Sequence, residues 1–238
     1  MKRLGRGFSL VEVLLALAIG LILILGASQI LISSRLTHAS QQAAMLLQDD
    51  ARFVLSKITQ DIRQAGMLGC LAVAAIDNAP AAFDRPISWE AAGSAKSLTL
   101  VTANVGDGVG KTDWTVLSDC KEAARAYAGT PPGAEPGQLR FGIRQLTYTY
   151  ESGQLKISTP AAPAKAVLMD NVRAFDVSFG MAATSVSTVV VRYDSHPADE
   201  SLIRSVRILM TLQDPSGRVK DQTYSVVAAL RNRLGYGQ

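Results

Sequence analysis

The sequence predicts an α+β chain: one long N-terminal helix, then a mainly antiparallel β domain. Three observations carry this. From Phe8 to Ile32 the chain is apolar apart from a single charge, Glu12. From Leu47 to Ala65 apolar residues recur at helical spacing. Beyond Cys70 that period gives way to short alternating runs separated by Gly, Pro, Asn, Asp and Ser. A helix segregated from strands in this way reads as α+β.

The apolar run is about 25 residues long and spans roughly 37 Å as a helix, enough to cross a bilayer with some tilt. Lys2, Arg3 and Arg6 precede it. Basic residues stay cytoplasmic, so the bulk of the chain is expected outside the membrane. The +4 net charge, less those three, leaves +1, so the high pI gives no nucleic-acid footprint. Glu12 is the anomaly. A carboxylate that deep in an apolar helix costs about 2.5–3.5 kcal/mol to insert, so it is expected to have a partner. A secretory signal peptide fits poorly, because its small residue follows a shorter apolar region. Here Gly7 stands before the run. A plain signal anchor explains the length but not Gly7, Phe8 and Glu12 together.

The helix is expected to continue to Gly66. Leu47, Ala51, Val54, Leu55, Ile58, Ile62 and Ala65 form one stripe. Gln48, Asp49, Arg52, Lys57, Gln60, Asp61 and Arg63 are assigned to the polar face. Such a helix lays its stripe on something, and the downstream sheet is the partner this chain offers. Between the two halves, Ser33 to Ala44 is small and polar and is read as crossing the headgroup region. Gly20 and Gly26 are candidate points of loosening in the apolar half.

The segment Ile76 to Ala95 holds Pro80, Pro86 and many small residues and is read mostly as loop. Ser97 to Thr102 alternates as a strand, Trp114 to Leu117 is a short candidate, and Lys121 to Tyr127 is ambiguous. Gly129 to Gly137, with three prolines, is a loop. Leu146, Tyr148 and Tyr150 alternate into a turn at Glu151-Ser152-Gly153 and return through Leu155 and Ile157, a hairpin signal. Phe175, Val177 and Phe179 share a strand face, and Val189 to Tyr193 is another strand. Val206, Ile208, Met210 and Leu212 form a long amphipathic strand. Asp214-Pro215-Ser216-Gly217 turns it into Tyr224, Val226, Ala228 and Leu230.

Cys70 and Cys120 are the two cysteines. Both lie in the part expected outside, where a disulfide persists; two unpaired buried thiols are the alternative. With His38 and His196 the only histidines and no closely spaced ligand pair, no metal site is read, and no cofactor is implied.

Lys2-Arg3-Leu4-Gly5-Arg6-Gly7-Phe8-Ser9-Leu10-Val11-Glu12 resembles the class III signal of type IV pilins and pseudopilins. The resemblance implies a pilin-like fold and cleavage by a prepilin peptidase between Gly7 and Phe8. It also implies N-methylation of Phe8, and Glu12 as the assembly residue, fifth in the mature chain. Residues 1–7 then form a leader. Residues 8–66 form the long helix, with 8–32 as transmembrane segment and filament core, and 67–238 form a periplasmic β-rich domain.

Major pilins of this family usually carry a proline where this chain has Gln29, and a cysteine pair near the C-terminus. Three segments instead resemble PilW-type minor pilins: Asp50 to Cys70, Val206 to Leu212, and Ala228 to Arg233. From Leu71 to Pro163 the resemblance is weak. It implies a structural, non-enzymatic subunit supporting twitching motility and adhesion. Its partners would be other minor pilins, the major pilin, a large tip adhesin and the inner-membrane assembly platform, with no nucleic acid or small-molecule substrate. It would start as a single-pass inner-membrane protein with a cytoplasmic N-terminus and end in the pilus tip. A J-type minor pseudopilin of a type II secretion system is the rival. A membrane-anchored periplasmic enzyme or binding module is the rival of another class, to be revived by a concave pocket with convergent polar groups.

Two local patterns are set aside. Gly106 to Thr112 looks like a phosphate-binding loop but has Val105 in place of the first glycine, and a strand-like run follows. Asp107 and Asp113 supply too few oxygens to argue for calcium. Ser118-Asp119-Cys120-Lys121 fits the Ser-x-x-Lys of penicillin-recognising enzymes without their partner motifs.

Overall fold

The computed structural model describes residues 9–93, 95–104, 112–129 and 131–230. It has the predicted class. Helix α1 runs Leu10–Gln64 and is followed by strands in two sheets. The chain forms two compact units, 1–46 and 47–238.

In the first unit α1 is continuous through Gly20 and Gly26. The expected loosening is absent because each residue there keeps its helical hydrogen bond; a Cβ added at either glycine would meet nothing within 4 Å.

In the second unit α1 ends at Gln64. Gly66 then takes a left-handed φ of 76°, which glycine adopts without a Cβ penalty. Its N–H donates to Val101 O at 2.9 Å, so the helix stop is also the first tie to the sheet.

The larger sheet has eight strands: β1 (Ile76–Asp77), β2 (Ile87–Ala92), β3 (Ala95–Ala103), β4 (Trp114–Ser118), β5 (Ala124–Ala128), β6 (Leu139–Glu151), β7 (Gln154–Thr159) and β8 (Ala162–Met169). Six follow the order β1-β5-β4-β6-β3-β2, and β7 pairs β6 and β8. β6 is long enough to hold two neighbours on one edge: β4 pairs with its first part and β7 with its last. The β6–β7 hairpin turns at Ser152 and Gly153, both with positive φ, the geometry a two-residue hairpin loop needs. The smaller sheet has the order β10-β9-β11-β12, from β9 (Val172–Ala182), β10 (Val190–Asp194), β11 (Ile203–Leu212) and β12 (Gln222–Ala229). All its pairs are antiparallel; in the larger sheet only β1–β5 is parallel.

Register explains the core. Leu100 pairs Leu146 and Leu98 pairs Tyr148, so all four share one face of the larger sheet. They pack with Ala51, Val54, Leu55, Ile58, Ile62 and Ala65 of α1. Phe175, Val177 and Phe179 of β9 and Val206, Ile208 and Met210 of β11 complete the cluster. The helical stripe is therefore buried where periodicity placed it. Each large member contributes about 1.5–3 kcal/mol relative to exposure. Val101, adjacent to Leu100, points to the opposite face, where Val116, Ile143, Leu68, Ile76 and Phe83 form a second cluster.

Three assignments are corrected. Asp61 is buried, not on the polar face. It lies between Ile58 and Ile62 at the margin of the stripe, and the sheet supplies its partners. Tyr148 Oη donates to it at 2.5 Å, Lys57 Nζ at 2.8 Å and Arg144 Nη2 at 3.4 Å. Burial, then the Asp61 charge, pushes the Tyr148 phenol well above its ordinary range. Second, the supposed loop Ile76–Ala95 contains β2, which pairs with β3 from Ile87↔Leu100 to Ala92↔Ala95. Third, β8 went unread. Its Ala-Pro-Ala-Lys-Ala run has no alternation to betray it, and it is mostly exposed.

A further buried charge holds the smaller sheet's loop. Arg204 is 2% exposed. Its guanidinium donates to the carbonyls of Ser187 (2.7 Å), Ser201 (2.7 Å) and Ser185 (2.5 Å), which satisfies a cation that burial would otherwise penalise.

Candidate assembly site

From Leu10 to His38 every residue of α1 but Gly20 is exposed. Ile22, Leu23 and Ile24 point about 100° apart around the helix, and all are more than half exposed. A helix apolar all round cannot be covered by a single sheet; it calls for lipid or other helices. Its best 18-residue window has a mean hydropathy of 2.8, and by length and composition it can cross a membrane. Glu12 sits in the first turn. Its N–H and that of Val13 both donate to Ser9 O, at 3.0 and 3.2 Å. There the helix dipole favours an acid, by about 0.3–1 kcal/mol, far below the cost of a carboxylate in hydrocarbon. The helix alone therefore does not account for Glu12. Gly7, Phe8 and the basic residues before them lie outside the described residues.

Residues 2–28 match the prokaryotic N-terminal methylation motif. This prepilin-type signal supports a type IV pilin-like protein, with pilus-assembly partners at the membrane. Together with the apolar helix it fits an inner-membrane-anchored pilin. It suggests a structural rather than an enzymatic protein. No curated protein matches the chain.

The segment after α1 is fastened to the larger sheet. Cys70 and Cys120 are joined in a disulfide with Cα atoms 5.3 Å apart. Cys120 lies in the β4–β5 turn, whose chemistry is legible. Asp119 accepts from the N–H groups of Lys121, Glu122 and Ala123 at 2.9–3.1 Å. Those donors, Lys121 first, hold its carboxyl below the usual range. Ser118 Oγ donates to Ala123 O and accepts from Cys120 N–H, both at 3.0 Å. The Ser-x-x-Lys pattern is thus a tied turn, with its serine committed to backbone.

The glycine-rich stretch 105–111 and Asp107 lie outside the described residues. Asp113 spends one carboxylate oxygen on Gln145 N–H at 2.8 Å. Among the described residues no three His, Cys, Asp or Glu side chains converge as a metal cluster. His38 sits on α1. His196 follows β10, where Ser195 Oγ lies 3.0 Å from its Nδ1. Ser195 and His196 border a cavity that sequence reading missed, since its walls come from β2, β9 and the turn before β11.

Proposed function

We propose that this chain is a PilW-type minor pilin that helps initiate a type IV pilus and sits in its tip complex, supporting twitching motility and adhesion. The observation that supports this reading is the earlier segment of α1, Leu10 to Ile32: apolar, exposed on all sides, with one carboxylate, Glu12, in its first turn. Gln29 in place of proline and a cysteine pair well before the C-terminus favour a minor over a major subunit.

On this reading a peptidase cuts after Gly7 and methylates Phe8, and the protein waits in the inner membrane with residues 67–238 in the periplasm. During docking on the assembly platform, Glu12 meets the N-terminal ammonium of a neighbouring subunit. In a low-dielectric helix bundle a paired charge is tolerable and an unpaired one is not. Glu12 therefore selects register more than it adds net stability. The partners are other minor pilins, the major pilin and a large tip adhesin.

Deleting the gene tests this. The expected result is loss of surface pili and twitching, restored by the wild-type copy, with mature protein starting at N-methyl-Phe8 by mass spectrometry. Intact pili with a defect in protein secretion would reassign the chain to a J-type pseudopilin. A mature N-terminus beyond Ile32 would remove it from the pilins.

A further inference from the structure

β2 is an edge strand of the larger sheet and β10 an edge strand of the smaller one. The segment joining β10 to β11 passes close to β2, and a cavity of about 220 Å³ opens there. Its lining is divided. One wall is apolar. Phe179 is buried, and Trp89 is half-buried with its ring 6.0 Å from that of Phe175, which fixes its plane. The other wall is polar, drawn from Ser195, His196 and Glu200.

Charge and size narrow what such a cavity takes. Arg85 Nε lies 3.8 Å from Glu200 and counters part of the carboxylate's charge. Ser195 Oγ holds His196 Nδ1 at 3.0 Å, which orients the ring. The volume falls below the roughly 300 Å³ at which pockets for drug-sized molecules begin; a single six-membered ring is of the right scale. Indole offers a large rigid apolar surface. Hydroxyls and imidazole both donate and accept, and a carboxylate accepts. A neutral ring with one C–H face and a hydroxylated rim matches both walls.

We propose that this cavity binds one neutral pyranose ring, its C–H face on Trp89 and its hydroxyls on Glu200, His196 and Ser195. The ring is either a free monosaccharide or the terminal residue of a glycan. The site does not depend on the pilin reading.

The test uses the full chain in a detergent without a sugar headgroup. Saturation-transfer NMR is run with glucose, galactose, mannose and N-acetylglucosamine, each also as its methyl glycoside, and with methylammonium as a charged control. At least one sugar is expected to give a saturable signal with a millimolar dissociation constant. Trp89→Ala is expected to weaken it about tenfold or more, and Glu200→Gln, which keeps the side chain's size, several-fold. Thermal melts check that both variants are folded. Should Trp89→Ala fail to fold, Glu200→Gln and His196→Ala decide the matter. Binding of the methyl glycoside at equal strength supports a glycan terminus; its loss, with the reducing sugar still bound, supports a free sugar. No saturable sugar signal, equal binding by the folded variants, or a stronger response to methylammonium would overturn the proposal.

Discussion

Ile22 and Ile58 are the same residue on the same helix with opposite fates: the first is 69% exposed, the second fully buried. Around Ile22 the neighbours three and four residues away are also apolar and also exposed. Around Ile58 the same positions, Val54, Leu55, Asp61 and Ile62, are all buried, while Lys57 and Gln60 between them are not. The difference is one of partner. The later segment of α1 is committed to the sheets of its own chain. The earlier segment has no partner within its unit, which leaves its apolar surface for lipid or for other subunits. On the proposed reading, stability and assembly are written on different stretches of one helix, and substitutions separate them.

The largest effect on stability is expected from Ile58→Ala, which opens a cavity in the main cluster and costs about 2–5 kcal/mol. Ile22→Ala should leave the unfolding midpoint of the β domain where it was. Denaturant unfolding of the two variants in the same detergent is the check. Equal losses would break the comparison.

Removing the disulfide by Cys70→Ser with Cys120→Ser comes next, at about 2–4 kcal/mol, because the unfolded chain regains the freedom of a loop of some 50 residues. The bond ties the segment after α1 to the β4–β5 turn, so the loss should appear first as faster hydrogen exchange at Leu68 and Ile76. Non-reducing peptide mapping of the wild type should recover the linked pair.

Tyr148→Phe removes one donor from Asp61 and leaves Lys57 and Arg144. The cost should be about 1–3 kcal/mol, as for one buried hydrogen bond left unmade. An unchanged unfolding midpoint would mean that Asp61 is satisfied without the phenol.

A smaller, pH-dependent effect is expected at the β11–β12 turn. Asp214 accepts from the Arg218 side chain and from the backbone N–H groups of Arg218 and Ser216. The Arg218 hydrogen bonds, first among these, hold its pKa well below the ordinary range. A carboxyl whose folded pKa is depressed stabilises fully above its unfolded value, near 3.9. That share is lost as pH falls from there toward the folded pKa. Asp214→Asn should therefore lower the melting temperature at pH 7 and narrow its gap to wild type at pH 3. A gap that is constant with pH would show that the carboxylate's charge is irrelevant.

Periodicity made the helix, its buried stripe and the long strands legible, because a face packed against a core leaves a repeat. The signal segment was legible for a different reason: on the proposed reading Gly7, Phe8 and Glu12 are recognised in trans, so their spacing is written locally. What escaped depends on contacts distant in sequence. Asp61 reads as a surface carboxylate until Tyr148 and Arg144 arrive from β6, and the one hint was a charged residue two positions from Leu146 on a core-facing strand. β2 was hidden by Pro80 and Pro86 ahead of it and by its small neighbours. The Trp89 cavity draws on segments more than a hundred residues apart, and no local pattern announces it.

The measurement that bears most directly on the division of labour along α1 is the fate of Glu12→Ala in cells lacking the wild-type copy. Glu12 is exposed on the earlier segment, so the β domain's unfolding midpoint and cleavage after Gly7 should be unchanged. Loss of one partner of a buried pair, about 3–5 kcal/mol, disfavours a docking step by a factor of hundreds or more. The account predicts processed, folded mutant protein accumulating in the inner membrane, with surface pili sharply reduced. Normal piliation, with the mutant present in sheared filaments at the wild-type level, would contradict it.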